Sequence, residues 1–148
     1  MLLVALLAVC PLRAQHAVLG ERVPEIRSDK WLGNIEPAAA PRTVIAFFTT
    51  ANPASLKALT HLGDLLSRQP ERMRVILVTR DDEAAVAEAV NPYLSSRMTV
   101  AFDADHKIFK NFGVQYVPFC LLVDTRSHRL LWQGNPQQLT ETILTTAQ

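Results

Sequence analysis

The chain has 148 residues, 49% hydrophobic and 20% charged, an ordinary globular balance that one domain with a single core satisfies. Its formal net charge of +1, with no long basic run and no arginine–aromatic stripe, gives no footing for nucleic-acid binding through counterion release. Two cysteines, Cys10 and Cys120, leave little scope for a disulfide framework.

Met1 to Ala14 is an apolar stretch too short to span a bilayer and suited to the h-region of a secretory signal. Residues 1–14 are therefore expected to be a signal peptide or N-terminal anchor, with cleavage near Ala14 or Ala17, and residues 15–148 to form the domain. The expected location is the periplasm or cell envelope. Leu7-Ala8-Val9-Cys10 loosely resembles a lipoprotein box, although Val9 is large for that site. Membrane attachment is expected only through a lipid on Cys10 or an uncleaved anchor. Loss of Arg13 with the signal would bring Lys+Arg from 15 to 14, level with the 14 Asp+Glu. Cys120 would then be the sole thiol.

Residues 15–42, punctuated by Pro24, Pro37 and Pro41 around Trp31 and Leu32, read as an arm laid on a core. Thr43 to Phe48 is a continuous β-branched and aromatic run, the pattern of a central strand buried on both faces. Pro53 opens a segment with Leu56, Leu59, Leu62, Leu65 and Leu66 at helical spacing, ended at Gln69-Pro70. Met73 to Thr79 is a second interior strand. Asp81-Asp82-Glu83 reads as an acidic helix start, with Val86, Val90, Tyr93 and Leu94 on one face and Pro92 dividing the pattern. A short strand at Thr99–Phe102 precedes a small helix carrying Ile108, Phe109 and Phe112, stopped by Gly113. Phe119–Val123 and Arg129–Trp132 form a hairpin pair, and Pro136 starts a terminal helix bearing Leu139, Ile143 and Leu144. The order β-α-β-α-β-α-β-β-α predicts an α/β sandwich: a mixed sheet of about five strands, flanked by helices, with an N-terminal arm.

Val44-Ile45-Ala46-Phe47-Phe48-Thr49-Thr50-Ala51-Asn52-Pro53-Ala54-Ser55 resembles the strand-to-helix turn of the TlpA-like periplasmic thioredoxin family, which carries a Trp-Cys-Pro-Pro-Cys motif there. Ala51 stands at the tryptophan, Asn52 and Ser55 at the two cysteines. Phe112-Gly113-Val114-Gln115-Tyr116-Val117-Pro118-Phe119 through Asp124 resembles that family's segment with a cis-proline facing the redox site. The same turn also resembles the peroxiredoxin Thr-x-x-Cys-Pro, with Asn52 where the peroxidatic sulfur would sit. The resemblance implies the thioredoxin-like fold, a cis Val117–Pro118 bond, and a groove made by Thr50, Ala51, Pro53, Val117 and Pro118. In that family the residue before cis-proline offers its backbone to an extended peptide.

The departure from the family changes the chemistry expected. Asn52 cannot become a thiolate, but its amide oxygen suits an N-cap, and Pro53 behind it is pre-set for the first helical position. Ser55 has no capacity for disulfide exchange. Asn52 and Ser55 are thus degenerate redox positions, with no catalytic residue, cofactor or metal expected. The leading reading is a redox-inactive binding or accessory domain outside the cytoplasm, its partner an extended peptide or an envelope protein. The alternative is a thiol-disulfide oxidoreductase with an atypical site using Cys120 or a partner's cysteine; a purely structural role is the third. Cys120, inside an apolar strand, is expected to be a buried, unreactive thiol. Ser55 and His61 fall on different helix faces and are expected to be an exposed polar pair. Asp103-Ala104-Asp105-His106 is expected to be a solvated turn, and Trp31 and Trp132 are expected to serve as core or interface anchors.

Overall fold

The computed structural model describes residues 18–34 and 36–147, so the expected signal segment 1–14, with Cys10, lies outside the described residues. Five strands, β1 (Arg42–Phe47), β2 (Met73–Thr79), β3 (Met98–Phe102), β4 (Phe119–Asp124) and β5 (Leu130–Gly134), form one sheet in the order β3-β2-β1-β4-β5. The helices α1 (Pro53–Arg68) and α2 (Glu83–Val90) carry the chain back between β1, β2 and β3. These three strands consequently pair in parallel, whereas β4 runs antiparallel to both β1 and β5. This is the expected mixed α/β sandwich.

The apolar run of β1 is central and buried, and alternation divides it between two cores. Val44 and Ala46 face the core shared with α1, while Ile45 and Phe47 face the one shared with α3 (Lys107–Asn111) and the N-terminal arm. The arm is pinned by antiparallel bridges from Arg22 to Arg129 and from Trp31 to Ala101. It buries Val23 and lays Ile26 and Trp31 on the second core.

On α1, Ala58, Leu59, Leu62, Leu65 and Leu66 are buried, but Leu56 is exposed. Two turns later Gly63 lets a neighbour in close. A Cβ at that position would stand 2.6 Å from Tyr93 Cδ1. Pro92 divides the second helical segment as its ring requires: α2 stops at Val90 and a single 3-10 turn, Asn91–Tyr93, follows and leaves Leu94 exposed.

The C-terminal segment departs from the single helix expected. Pro136–Gln138 is a 3-10 turn, and α4 (Glu141–Thr146) starts afresh after Leu139. The chain has two caps here instead of one: Asn135 accepts from Gln137 N–H at 2.9 Å and Thr140 accepts from Ile143 N–H at 3.2 Å. Leu139 between them is fully buried and its carbonyl meets His61 Nε2 at 2.7 Å. No helix among the described residues is long and apolar enough to cross a membrane.

Candidate functional site

Strand register brings the two sequence segments of the site together. Phe47 at the end of β1 pairs with Phe119 at the start of β4, so the residues after Phe47 and those before Phe119 emerge at the same end of the sheet. The first lead through Thr49, Thr50 and Ala51 into α1. The second are Val117 and Pro118, joined by a cis peptide bond.

Asn52 is the hinge between them. Its backbone is extended (φ −114°, ψ 117°), as an N-cap requires, and its Oδ1 accepts from Ala54 N–H at 2.9 Å. Its Nδ2 donates to the Val117 carbonyl at 3.2 Å. One amide therefore satisfies an orphan donor of the helix and ties the helix start to the cis-proline turn. Ala51 and Pro53 are exposed on the outside of this turn, Thr50 and Val117 are half-buried, and Pro118 is buried.

Ser55 is not the exposed residue expected. It is fully buried, with Thr49 N–H at 3.4 Å from its Oγ, and with Pro118, Pro136 and Phe48 it lines a gap of about 10 Å³. That is too little for a bound water with several partners. His61 is half-buried and held by Leu139, so the expected exposed Ser55–His61 pair does not exist. The cause is packing: Ser55 sits under the β1 turn on the inner side of α1, a small residue where the sheet approaches closely.

A residue the sequence reading left as part of an acidic helix start fixes the outer turn. Asp81 lies before α2, not in it, and accepts from Thr50 N–H at 2.7 Å, from Thr50 Oγ1 at 2.9 Å and from Thr49 Oγ1 at 3.0 and 3.1 Å. Ala51 N–H in turn donates to Thr49 Oγ1 at 3.3 Å. The carboxylate's lone pairs are largely taken up by this turn. Thr49-Thr50 and Asp81 meet because they follow the paired parallel strands β1 and β2, and local periodicity does not carry that pairing.

Asp103 likewise departs from the solvated turn expected. It is 1% exposed, and its two oxygens accept from Ile108 and Phe109 N–H at 2.9 Å each, capping α3. Asp105 and His106 of that turn are exposed. Cys120 lies on β4 opposite Ala46, with no exposed surface, and burial pushes its thiol far above the ordinary range. Trp31 and Trp132 are half-buried against opposite cores, Trp31 beside the arm and Trp132 stacked on Gly134, where a Cβ would lie 3.1 Å from its ring.

A cleft of about 460 Å³ opens beside this junction, bounded by Val117, Tyr116, Phe48, Phe109, Arg80 and His106. The Arg80 guanidinium lies 4.0 Å from the centre of the Phe109 ring. Tyr116 is 55% exposed and stands edge-on to Phe119.

No protein-family model matches the chain, and no curated protein does. Solved structures do. A thioredoxin-like protein determined in its oxidised form superposes with a TM-score of 0.70 at 17% identity, covering 87% of this chain and 98% of that one. The thioredoxin domain of a thiol-disulfide oxidoreductase from Bacteroides vulgatus gives a TM-score of 0.68 at 14% identity, over 87% and 94% of the two chains. A secreted disulfide oxidoreductase of Mycobacterium tuberculosis, described as homologous to E. coli DsbE, gives 0.55 at 21% identity over 64% and 69%. The sheet order and these neighbours show that the chain has the thioredoxin-like fold.

Proposed function

We propose that this chain is a redox-inactive thioredoxin-like domain that binds an extended peptide through the groove formed by Thr50, Ala51 and Pro53 on one side and Val117 and Pro118 on the other. The observation that carries the reading is Asn52, which occupies the helix start as a cap and hydrogen-bonds the Val117 carbonyl, where disulfide chemistry would need a thiolate. Ser55, the second degenerate position, is sealed beneath the turn. A carbonyl oxygen carries two lone pairs, so the Asn52 bond leaves Val117 with acceptor capacity for a strand laid alongside it. The same lineage suggests export, since one of the neighbours is described as secreted.

The test is chemical-shift mapping with an acetylated and amidated pentapeptide, Thr-Val-Gln-Val-Thr. The expected result is saturable shifts of the amides of residues 50–52 and 117 at up to about 5 mM peptide, a range that captures a Kd of about 1 mM. Shifts confined to other parts of the surface, or none, overturn the groove.

A second reading rests on the comparisons: neighbours in this fold are described as disulfide or thiol-disulfide oxidoreductases, which supports a thiol-disulfide oxidoreductase with an atypical site. Such an enzyme would act through Cys120 or through a partner's cysteine. Insulin reduction with dithiothreitol as reductant separates the two. Turnover above the uncatalysed rate, abolished by Cys120→Ser, favours the enzyme and removes the first reading.

A further inference from the structure

We propose that the cleft beside Val117 takes an acidic side chain of the bound peptide, so that the groove selects extended segments carrying aspartate or glutamate. This rests on the groove reading above, and it adds the class of ligand.

The cleft shares Val117 with the groove, so a side chain projecting from a peptide paired along Val117 has it within reach. Its floor is apolar, with Phe48, Phe109 and Val114 buried. Arg80 and Asp81, its two charged residues, balance formally but face different partners. Asp81, the one carboxylate on its wall, is turned to the Thr49–Thr50 turn and holds the hydrogen bonds described above. Arg80 is exposed, and among the described residues no carboxylate forms an ion pair with it. Its guanidinium is packed over Phe109, an arrangement that restrains the group through the ring while leaving edge N–H donors for a carboxylate. Exposed His106 stands on the same cleft and offers a ring N–H in either protonation state. A glutamate would lay its methylenes on the apolar floor and its carboxylate between Arg80 and His106. A lysine would bring a second cation to Arg80.

The experiment compares three pentapeptides on the full chain by the same shift mapping: Thr-Val-Gln-Val-Thr and its counterparts with glutamate or lysine at the centre. The glutamate peptide is expected to bind about three- to tenfold more tightly than the glutamine peptide, as exposed charge-assisted hydrogen bonds allow, with the advantage shrinking in high salt. In Arg80→Gln the glutamate-to-glutamine ratio should fall to within about twofold, and His106→Gln should lower it less. Equal affinity for the two peptides, preference for lysine, or a glutamate preference that survives both substitutions overturns the acid selection while the groove stands. If none of the three peptides moves the amides of residues 50–52 and 117, the groove falls and the acid selection with it.

Discussion

Asn52 Nδ2 and the Val117 carbonyl oxygen, 65 positions apart in sequence, are 3.2 Å apart in space, and this contact joins the two halves of the candidate site. The same side chain caps α1. A substitution series separates the two tasks. Serine keeps a capping oxygen but is too short to reach Val117, whereas alanine loses both. We expect Asn52→Ser to lose about 1 kcal/mol, the net worth of one hydrogen bond, and Asn52→Ala a further 0.5–2 kcal/mol or so for the cap. Urea unfolding measures both; a serine variant as stable as the parent would show that the Val117 contact contributes nothing.

Cys120 should behave as a core residue. With its thiol sealed between Ala46 and the α1 side of the sheet, and its ionisation suppressed by burial, a thiol-selective disulfide reagent should label it only as fast as the protein opens. Labelling in urea should be rapid. Fast labelling of the native protein would mean that β4 is far more accessible than its packing indicates.

Introducing two cysteines tests whether the start of α1 has the geometry that disulfide chemistry needs. In Asn52→Cys with Ser55→Cys, a thiol at position 52 would sit at the N-terminus of α1, where unpaired N–H groups favour a thiolate, and the second would lie one turn on. Oxidation by glutathione disulfide should join the two sulfurs, releasing two glutathione thiols per bond. The reduced variant should be less stable than the parent by about 0.5–2 kcal/mol through loss of the asparagine cap. A variant that folds yet neither forms this bond nor titrates a thiol below about pH 8, under the ordinary cysteine value, would mean that burial at position 55 has closed the site to such chemistry.

The hairpin loop between β4 and β5 gives a pH dependence with a defined sign. Asp124 accepts from Ser127 N–H and Oγ at 2.9 Å each and pairs with Arg42 at 2.7 Å, and these bonds, the backbone one first, hold its carboxyl below the ordinary range. The folded state therefore binds the proton more weakly than the unfolded chain. The stabilisation is complete above about pH 4, the unfolded value, and is lost as pH falls through the lower folded one. The stability gap between the parent and Asp124→Asn should be constant from neutral pH down to about 4 and close below it. A gap that does not change down to acid pH would assign the loss to packing alone.

The apolar runs at Thr43–Phe48, Met73–Thr79 and Phe119–Val123 were legible as interior strands because burial on both faces leaves no polar alternation to misread. Asn52-Pro53 was legible as a helix start because capping is local. Asp103 was missed as a local cap, its donors Ile108 and Phe109 N–H lying five and six positions on; Ser55 and Asp81 were not legible for a different reason. A short polar residue is buried or exposed according to which backbone donors the tertiary fold brings to it, and those donors come from Thr49 for Ser55 and from Thr49 and Thr50 for Asp81. The split of the terminal helix was missed for a related reason: Leu139 is drawn into the core by α1, and Thr140 then has to begin a new helix. The expected signal segment and Cys10 lie outside the described residues.

The pairing of Phe47 with Phe119 places the proposed groove at the end of the two adjacent inner strands, β1 and β4. Its two lips continue directly out of β1 and into β4, whose ladder belongs to the most deeply buried part of the molecule. A ligand bound in the proposed groove would add its binding free energy to the stability of the folded domain. A rise in melting temperature becomes a readout of occupancy that needs no knowledge of what the ligand does.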